Sequence, residues 1–293
     1  MKFRKINMTD KEQFESKVDA DTFCENCCGY ERVFQVLYCF SEQYNYEMAT
    51  EDNAIFVKFN HEGNVGFFPP IVKYPHEFMP AFEKLVKYCK ENNIQLKIYG
   101  ADKVKVDLIL QSRKHMIYSS LERNTYEYLY KPEKLINMGD YSPIKRNMLK
   151  SFEKRFKWEL REYCESDRAE VINLLTEWSE TKGEEEGDLE AMVLALDNIK
   201  ALDLVCDVMI VKGKIVGIDI GYKARDIGII MYEKVSKKIF GLGVKIVQEF
   251  SKKRFADCRY INRQEDMGDV GLRNSKLSYK QDKFIVKYKI VLL

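Results

Sequence analysis

Histidine is scarce in this chain. His61, His76 and His115 are the only three in 293 residues, and all lie in the first half. Chemistry carried by the second half therefore has no histidine base to draw on. His76-Glu77 lacks the second histidine of a zinc-protease motif. There is no Gly-x4-Gly-Lys-Ser/Thr phosphate loop and no Gly-x-Ser-x-Gly elbow, so phosphoryl transfer and serine hydrolysis find no support. No run of about 18 apolar residues suggests a membrane span. Met1 to Ile6 lacks the apolar core of a secretory signal. An excess of charge is missing too: 48 basic against 46 acidic residues leave +2. That argues against nucleic-acid capture by the whole surface, though not against a local basic strip. The expectation is a soluble, cytoplasmic protein.

In that compartment the eight cysteines are expected to be free thiols. Cys24-x-x-Cys27-Cys28 invites a zinc reading, but no second Cys/His pair follows at finger-like spacing. No metal site is assigned, and these cysteines read as small buried hydrophobes in a short helix over Thr22 to Cys28. Hydrophobic residues at 45% and aromatics at 13% supply ample core, and the length suits one large domain or two ordinary ones.

The first half reads as a mixed α/β unit. A helix is expected over residues 10–20 with Asp10 as N-cap, then a meander of strands Tyr44–Met48, Ala54–Phe59 and Val65–Phe68. Pro75 to Asn92 is amphipathic, with Phe78, Phe82, Leu85 and Cys89 at helical spacing. A strand over Ile94–Tyr99, a helix over Lys103–Gln111 and a strand over Tyr126–Tyr130 follow. Ser142 and Pro143 then suit the N-cap and first position of a helix. Its apolar stripe reads Ile144, Met148, Phe152 and Phe156. Around the stripe stand Lys145, Arg146, Lys150, Lys154, Arg155 and Lys157 against one acid, Glu153. This is either an ordinary solvated face or an anion-binding strip.

A second α/β unit runs from Trp158 onward. It has helices after Ser166 and over Leu189–Lys200, separated by an acidic loop from Lys182 to Gly187. A strand over Val205–Val211 leads through a Lys212-Gly213-Lys214 hairpin turn into Ile215–Tyr222. Ile227–Tyr232, a helix over Ile239–Phe255 and a last strand over Phe284–Val291 complete it. No glycine-serine linker separates the units. The expected domains are 1–131 and 132–293, joined by the basic helix.

The richest stretch lies between Tyr260 and Tyr279. Asn262 and Arg263 form a fork of donors, Glu265 and Asp266 are adjacent acids, and Gly268 and Gly271 allow a tight bend. Arg273 and Lys276 share a helical face. Loops at strand ends are where sites usually sit; the competing reading is an ion-paired surface loop. Earlier, Glu233-Lys234 ends a strand and Lys238-x-x-Gly241-x-Gly243 leads into a helix. Free N–H groups at such a helix start can hold the coenzyme A pyrophosphate; alternatively the glycines permit close packing of helix on sheet. Carboxylates, guanidinium, amide and lysine together can orient an anionic or amine-bearing substrate, stabilise an oxyanion and accept a proton.

The run Asn-Arg-x-x-Asp-x-Gly-x-x-Gly-Leu-Arg-x-x-Lys-Leu-Ser-Tyr, from Asn262, resembles the closing signature of the phosphatidylglycerol lysyltransferase C-terminal-like family. Tyr126 to Tyr130, Lys145-Arg146-Asn147 with Phe152, Leu189-Glu190-Ala191, Val211 to Val216 and Glu233-Lys234 resemble further motifs of that family. The resemblance implies an α/β (α+β) fold of two tandem acetyltransferase-type (GNAT-like, acyl-CoA N-acyltransferase-like) domains. It also implies kinship with enzymes that move an amino acid from aminoacyl-tRNA onto a lipid or peptide acceptor. On that footing the chain is expected to be an aminoacyl or acyl transferase. Lys145, Arg146, Lys150 and Lys154 would hold a polyanionic donor such as the tRNA acceptor end, and Asn147, Glu190, Lys234 and Lys276 are expected as further substrate-binding residues. Asn262, Arg263 and Arg273 would orient the carbonyl. Glu233 or Asp266 would bind the donor's amino group or relay a proton. The alternatives are a coenzyme A-dependent N-acetyltransferase using Lys238, Gly241 and Gly243, or a non-catalytic binding module. The closing loop and the basic helix should meet.

Overall fold

The computed structural model describes residues 1–20, 29–113, 116–182 and 186–292. The expected helix over Cys24, Cys27 and Cys28, His115, and the centre of the acidic loop lie outside these. In chain order the strands are β1 (Arg4–Lys5), β2 (Glu47–Glu51), β3 (Ala54–His61), β4 (Asn64–Phe67), β5 (Lys97–Ala101), β6 (Met116–Ser120), β7 (Glu127–Tyr130), β8 (Trp158–Glu162), β9 (Val205–Val211), β10 (Lys214–Ala224), β11 (Ile227–Val235), β12 (Tyr260–Asn262), β13 (Lys283–Ile285) and β14 (Tyr288–Leu292). They form two sheets, ordered β1-β2-β3-β4-β5-β14-β6 and β13-β7-β12-β11-β10-β9-β8.

The chain divides into two compact units, Met1–Tyr126 with Ile285–Leu293, and Glu127–Phe284. In the first, Phe56, Phe67, Phe78, Phe82, Leu85, Ile98, Val106 and Ile290 build the core. The helix Pro75–Glu91 supplies its aromatic face, as its spacing predicts. Asp10 is not an N-cap. Asn7 caps a short 3-10 turn, and Asp10 closes the capping box while pairing with Arg4. The expected final strand is two strands: β13 belongs to the second sheet, while β14 inserts between β5 and β6 of the first, antiparallel to both. Residue 285 thus returns the chain to its first unit, a partition that differs from the expected boundary at 131/132.

The second unit centres on the meander β8–β9–β10–β11, with Lys212 and Gly213 left-handed (φ 53° and 74°) in the hairpin turn. β11 and β12 run parallel, pairing only Ile227–Ile229 with Tyr260–Asn262. β12 then stops while β11 continues to Val235, so the two strands part just where Asn262 ends. The helix Leu242–Arg254 buries Leu242, Ile246, Val247 and Phe250 against this sheet. It starts at Leu242 rather than Ile239 because Gly241 is left-handed (φ 84°) and ends the approach. The basic helix, Pro143–Arg155, is an internal element of this unit. Ser142 caps it as expected, but the buried side is Lys145, Leu149 and Phe152, and Ile144 is 72% exposed. Its lone acid, Glu153, pairs with the buried Lys245 of Leu242–Arg254.

Candidate active site around Arg263

Where β12 ends, Asn262 is fully buried. Its amide donates to Glu127 Oε2 (2.6 Å) and its oxygen accepts from the Gln264 N–H (2.8 Å). The chain then bends through Gln264, Met267 and Gly268, all left-handed. Three side chains fix that bend. Asp266 accepts two bonds from the Arg273 guanidinium, one from the Tyr128 hydroxyl (2.6 Å) and one from the Gly268 N–H. Lys276 donates to the carbonyls of Arg263 (2.7 Å), Gln264 and Glu265. Asp269 caps the helix Val270–Leu277. Gly271 is helical, so Gly268 alone of the two glycines supplies the bend. Burial raises the Asp266 carboxyl, but Arg273, Tyr128 and Gly268 outweigh it and hold it at about 2. Burial pushes the Lys276 ammonium down to about 8.

Arg263 is thereby aimed across the parting of β11 and β12. Its Nη2 donates to Glu233 Oε2 at 2.7 Å. The guanidinium lies 4.6 Å from the centre of the Tyr279 ring and 5.9 Å from that of Tyr130. Nε and Nη1 are buried with no hydrogen-bond partner among the described residues. Glu233, with a quarter of its side chain exposed, is the open member of the pair. The Lys145 ammonium stands 3.8 Å from the centre of the same Tyr279 ring. Burial first, then the repulsion of Arg263, lowers it to about 8, against the pull of Glu233. The closing loop and the basic helix thus meet, through Tyr279.

Other expected residues stand apart from this group. Lys234, one residue past Glu233, points to the opposite face of the strand, 3.2 Å from the Trp178 ring centre. Lys238 pairs with Glu177 at an exposed position. A Cβ on Gly241 would come 2.8 Å from the Met148 carbonyl, so that glycine lets two helices pack closely; a Cβ on Gly243 would make an ordinary 3.6 Å contact with Val235. Arg146 is exposed and donates to the Gly139 carbonyl, and Asn147 and Glu190 are exposed without bonds to the group.

Sequence reasoning missed Asp219. It is fully buried, neither carboxyl oxygen has a hydrogen-bond partner among the described residues, and it stands opposite Glu233 in the β10–β11 register. Burial, reinforced by Glu233 and Asp207 and opposed by Arg263, pushes its carboxyl well above the usual range. The signal was there: an acid inside the apolar run Ile215 to Ile220. Its neighbour across the sheet, Asp207, sits in a similar run but is paired with Lys253 and Arg254.

Comparison with known proteins agrees with this architecture. A conserved protein of unknown function from Bacteroides thetaiotaomicron VPI-5482 superposes with a TM-score of 0.88 at 22% identity, covering 99% of both chains. The C-terminal domain (DUF2156) of a putative lysylphosphatidylglycerol synthetase from Agrobacterium fabrum superposes at 0.68 with 12% identity, covering 97% of this chain and 92% of that one. L-PGS from Bacillus licheniformis gives 0.65 at 13% identity with the same coverage. These likenesses establish a shared fold, the mixed α/β architecture with two sheets described above. No curated protein sequence matches. The sequence itself matches the family described as phosphatidylglycerol lysyltransferase, C-terminal, over residues 28–291. The chain belongs to that family.

Proposed function

We propose that the chain is an aminoacyl transferase, taking an amino acid from an aminoacyl-tRNA-type donor and passing it to a lipid headgroup or peptide acceptor. The observation that carries this reading is the group formed by Lys145, Glu233 and Arg263 around Tyr279, where β11 and β12 part. An acyl transfer needs a positive group at the developing oxyanion and a partner for the donor's ammonium. Arg263 serves the first, and the partly exposed Glu233 the second. Asn262, Asp266, Arg273 and Lys276 hold the bend that aims Arg263. Arg146, Lys150 and Lys154, exposed on one helix, supply phosphate contacts to the donor's nucleic-acid arm. Family membership and the lysyltransferase-like fold support a transferase of this class.

The test is incubation with a set of charged tRNAs and candidate acceptors. Labelled amino acid should move to an acceptor, and Glu233→Gln should lower the rate ~100-fold without loss of fold. No transfer with any pair, and no tRNA retention at low salt, would discard the proposal. A coenzyme A-dependent acetyltransfer is the second reading, favoured by a helix Leu242–Arg254 that begins without a side-chain cap. In that case millimolar acetyl-CoA raises the melting temperature; the first reading predicts no shift. A binding module of the same fold would retain its ligand and transfer nothing.

A further inference from the structure

We infer that Lys145 is the proton acceptor of the transfer, the group that receives the proton of the attacking hydroxyl or amine. This rests on the transferase reading and assigns the residue a different task from the other bases of its helix. Five of the six bases in that stretch, Arg146, Lys150, Lys154, Arg155 and Lys157, are exposed, whereas Lys145 is 6% exposed. Its ammonium makes no ion pair among the described residues and lies against the Tyr279 ring. It stands in the first turn of Pro143–Arg155, where the helix dipole disfavours a cation. Arg263, on the chain leaving β12, repels it, and among the described residues Glu233 on β11 favours its charge; Asp219, which faces Glu233 in the β10–β11 register, tends to the neutral form. Burial, dipole and a like charge all favour the free amine, which is what a base needs near neutral pH.

The step balances without any co-reactant. The acceptor's O–H or N–H attacks the donor's ester carbonyl carbon, forming the new acyl bond, while its proton passes to Lys145 Nζ. The carbon–oxygen bond to the donor's ribose breaks, and the departing oxygen takes a proton back from the Lys145 ammonium. Arg263 faces the oxyanion in between.

Lys145→Met keeps the stem and removes the amine. In the wild-type protein kcat/KM should climb with pH and level off above about pH 8. In the variant kcat should fall ~100-fold with KM within about twofold, and the climb should disappear. A variant that keeps the rate, or the pH-dependent limb, overturns the inference. Titration of ε-13C-labelled lysines in the wild-type protein gives a reading that does not depend on the variant's folding: Lys145 should ionise near pH 8, and ionisation at the ordinary lysine value overturns it. Absence of transfer by the wild-type chain removes the transferase reading and this role with it; transfer by the wild type with an unaffected variant removes this role alone.

Discussion

Asp266 and Asp219 are both fully buried acids in the same unit, and their surroundings treat them in opposite ways. Asp266 accepts from a guanidinium, a phenol and a backbone N–H, so it is held ionised at about 2 rather than 3.8. Asp219 meets no donor among the described residues, and burial raises it. A depressed carboxyl contributes stability above its unfolded pKa and loses it as pH falls through the folded value. Asp266→Asn is therefore expected to cost about 2 kcal/mol at pH 7, by removing the buried charge to which the Tyr128 hydroxyl and the Gly268 N–H donate. The wild-type and variant curves should converge between pH 4 and pH 2 in a denaturant titration. An equal gap at pH 7 and pH 2 would contradict the assigned pairing. The mixed charges of the closing stretch were legible as a site or an ion-paired loop. The structure makes the ion-paired reading true of Asp266, Arg273 and Lys276, which build the bend, and the proposed site uses Arg263, which that bend carries.

Among the elements, the basic helix shows where sequence pattern reaches its limit. Ser142 and Pro143 announced its start, because capping is local chemistry. Of the stripe Ile144, Met148, Phe152 and Phe156, the last three pack on the core, but Ile144 is exposed and Lys145 and Leu149 are buried instead. A lysine does not count as apolar, so no periodicity test rotates a helix to bury one. The stem of Lys145 packs all the same, with its amine on Tyr279. The bend after Asn262 likewise depends on tertiary contacts. Three left-handed residues are tolerated because Lys276 gathers three carbonyls, and a lysine thirteen residues downstream gives no local sign of it. Lys276→Met should leave those carbonyls without a donor, at roughly 3 kcal/mol, and raise amide exchange between residues 263 and 268. Unchanged exchange there would show that the bend stands without the lysine.

At the scale of the whole molecule, strand and helix order were readable, and so was the α/β class of each half. Hairpins and amphipathic helices are specified within about twenty residues. What sequence order could not reveal is that the final strand crosses back. Phe284 to Val291 reads as one strand, yet Ile285 closes β13 in the second sheet and Tyr288 opens β14 in the first. Since β14 lies between β5 and β6, a chain stopped at Ile285 should lose amide protection in β5 and β6. Protection should persist in β9 to β11. Full protection of β5 in the shortened chain would contradict the seven-strand order.

The central claim is that Lys145, Glu233 and Arg263 receive the donor's aminoacyl end. A crystal structure with a stable, amide-linked aminoacyl-adenosine tests it most directly. The account predicts the ligand's ammonium at Glu233 and its carbonyl oxygen directed to Arg263, beside Lys145 and Tyr279. A ligand seated instead at Lys238 to Gly243, or no ligand bound to the second unit at saturating concentration, would contradict it.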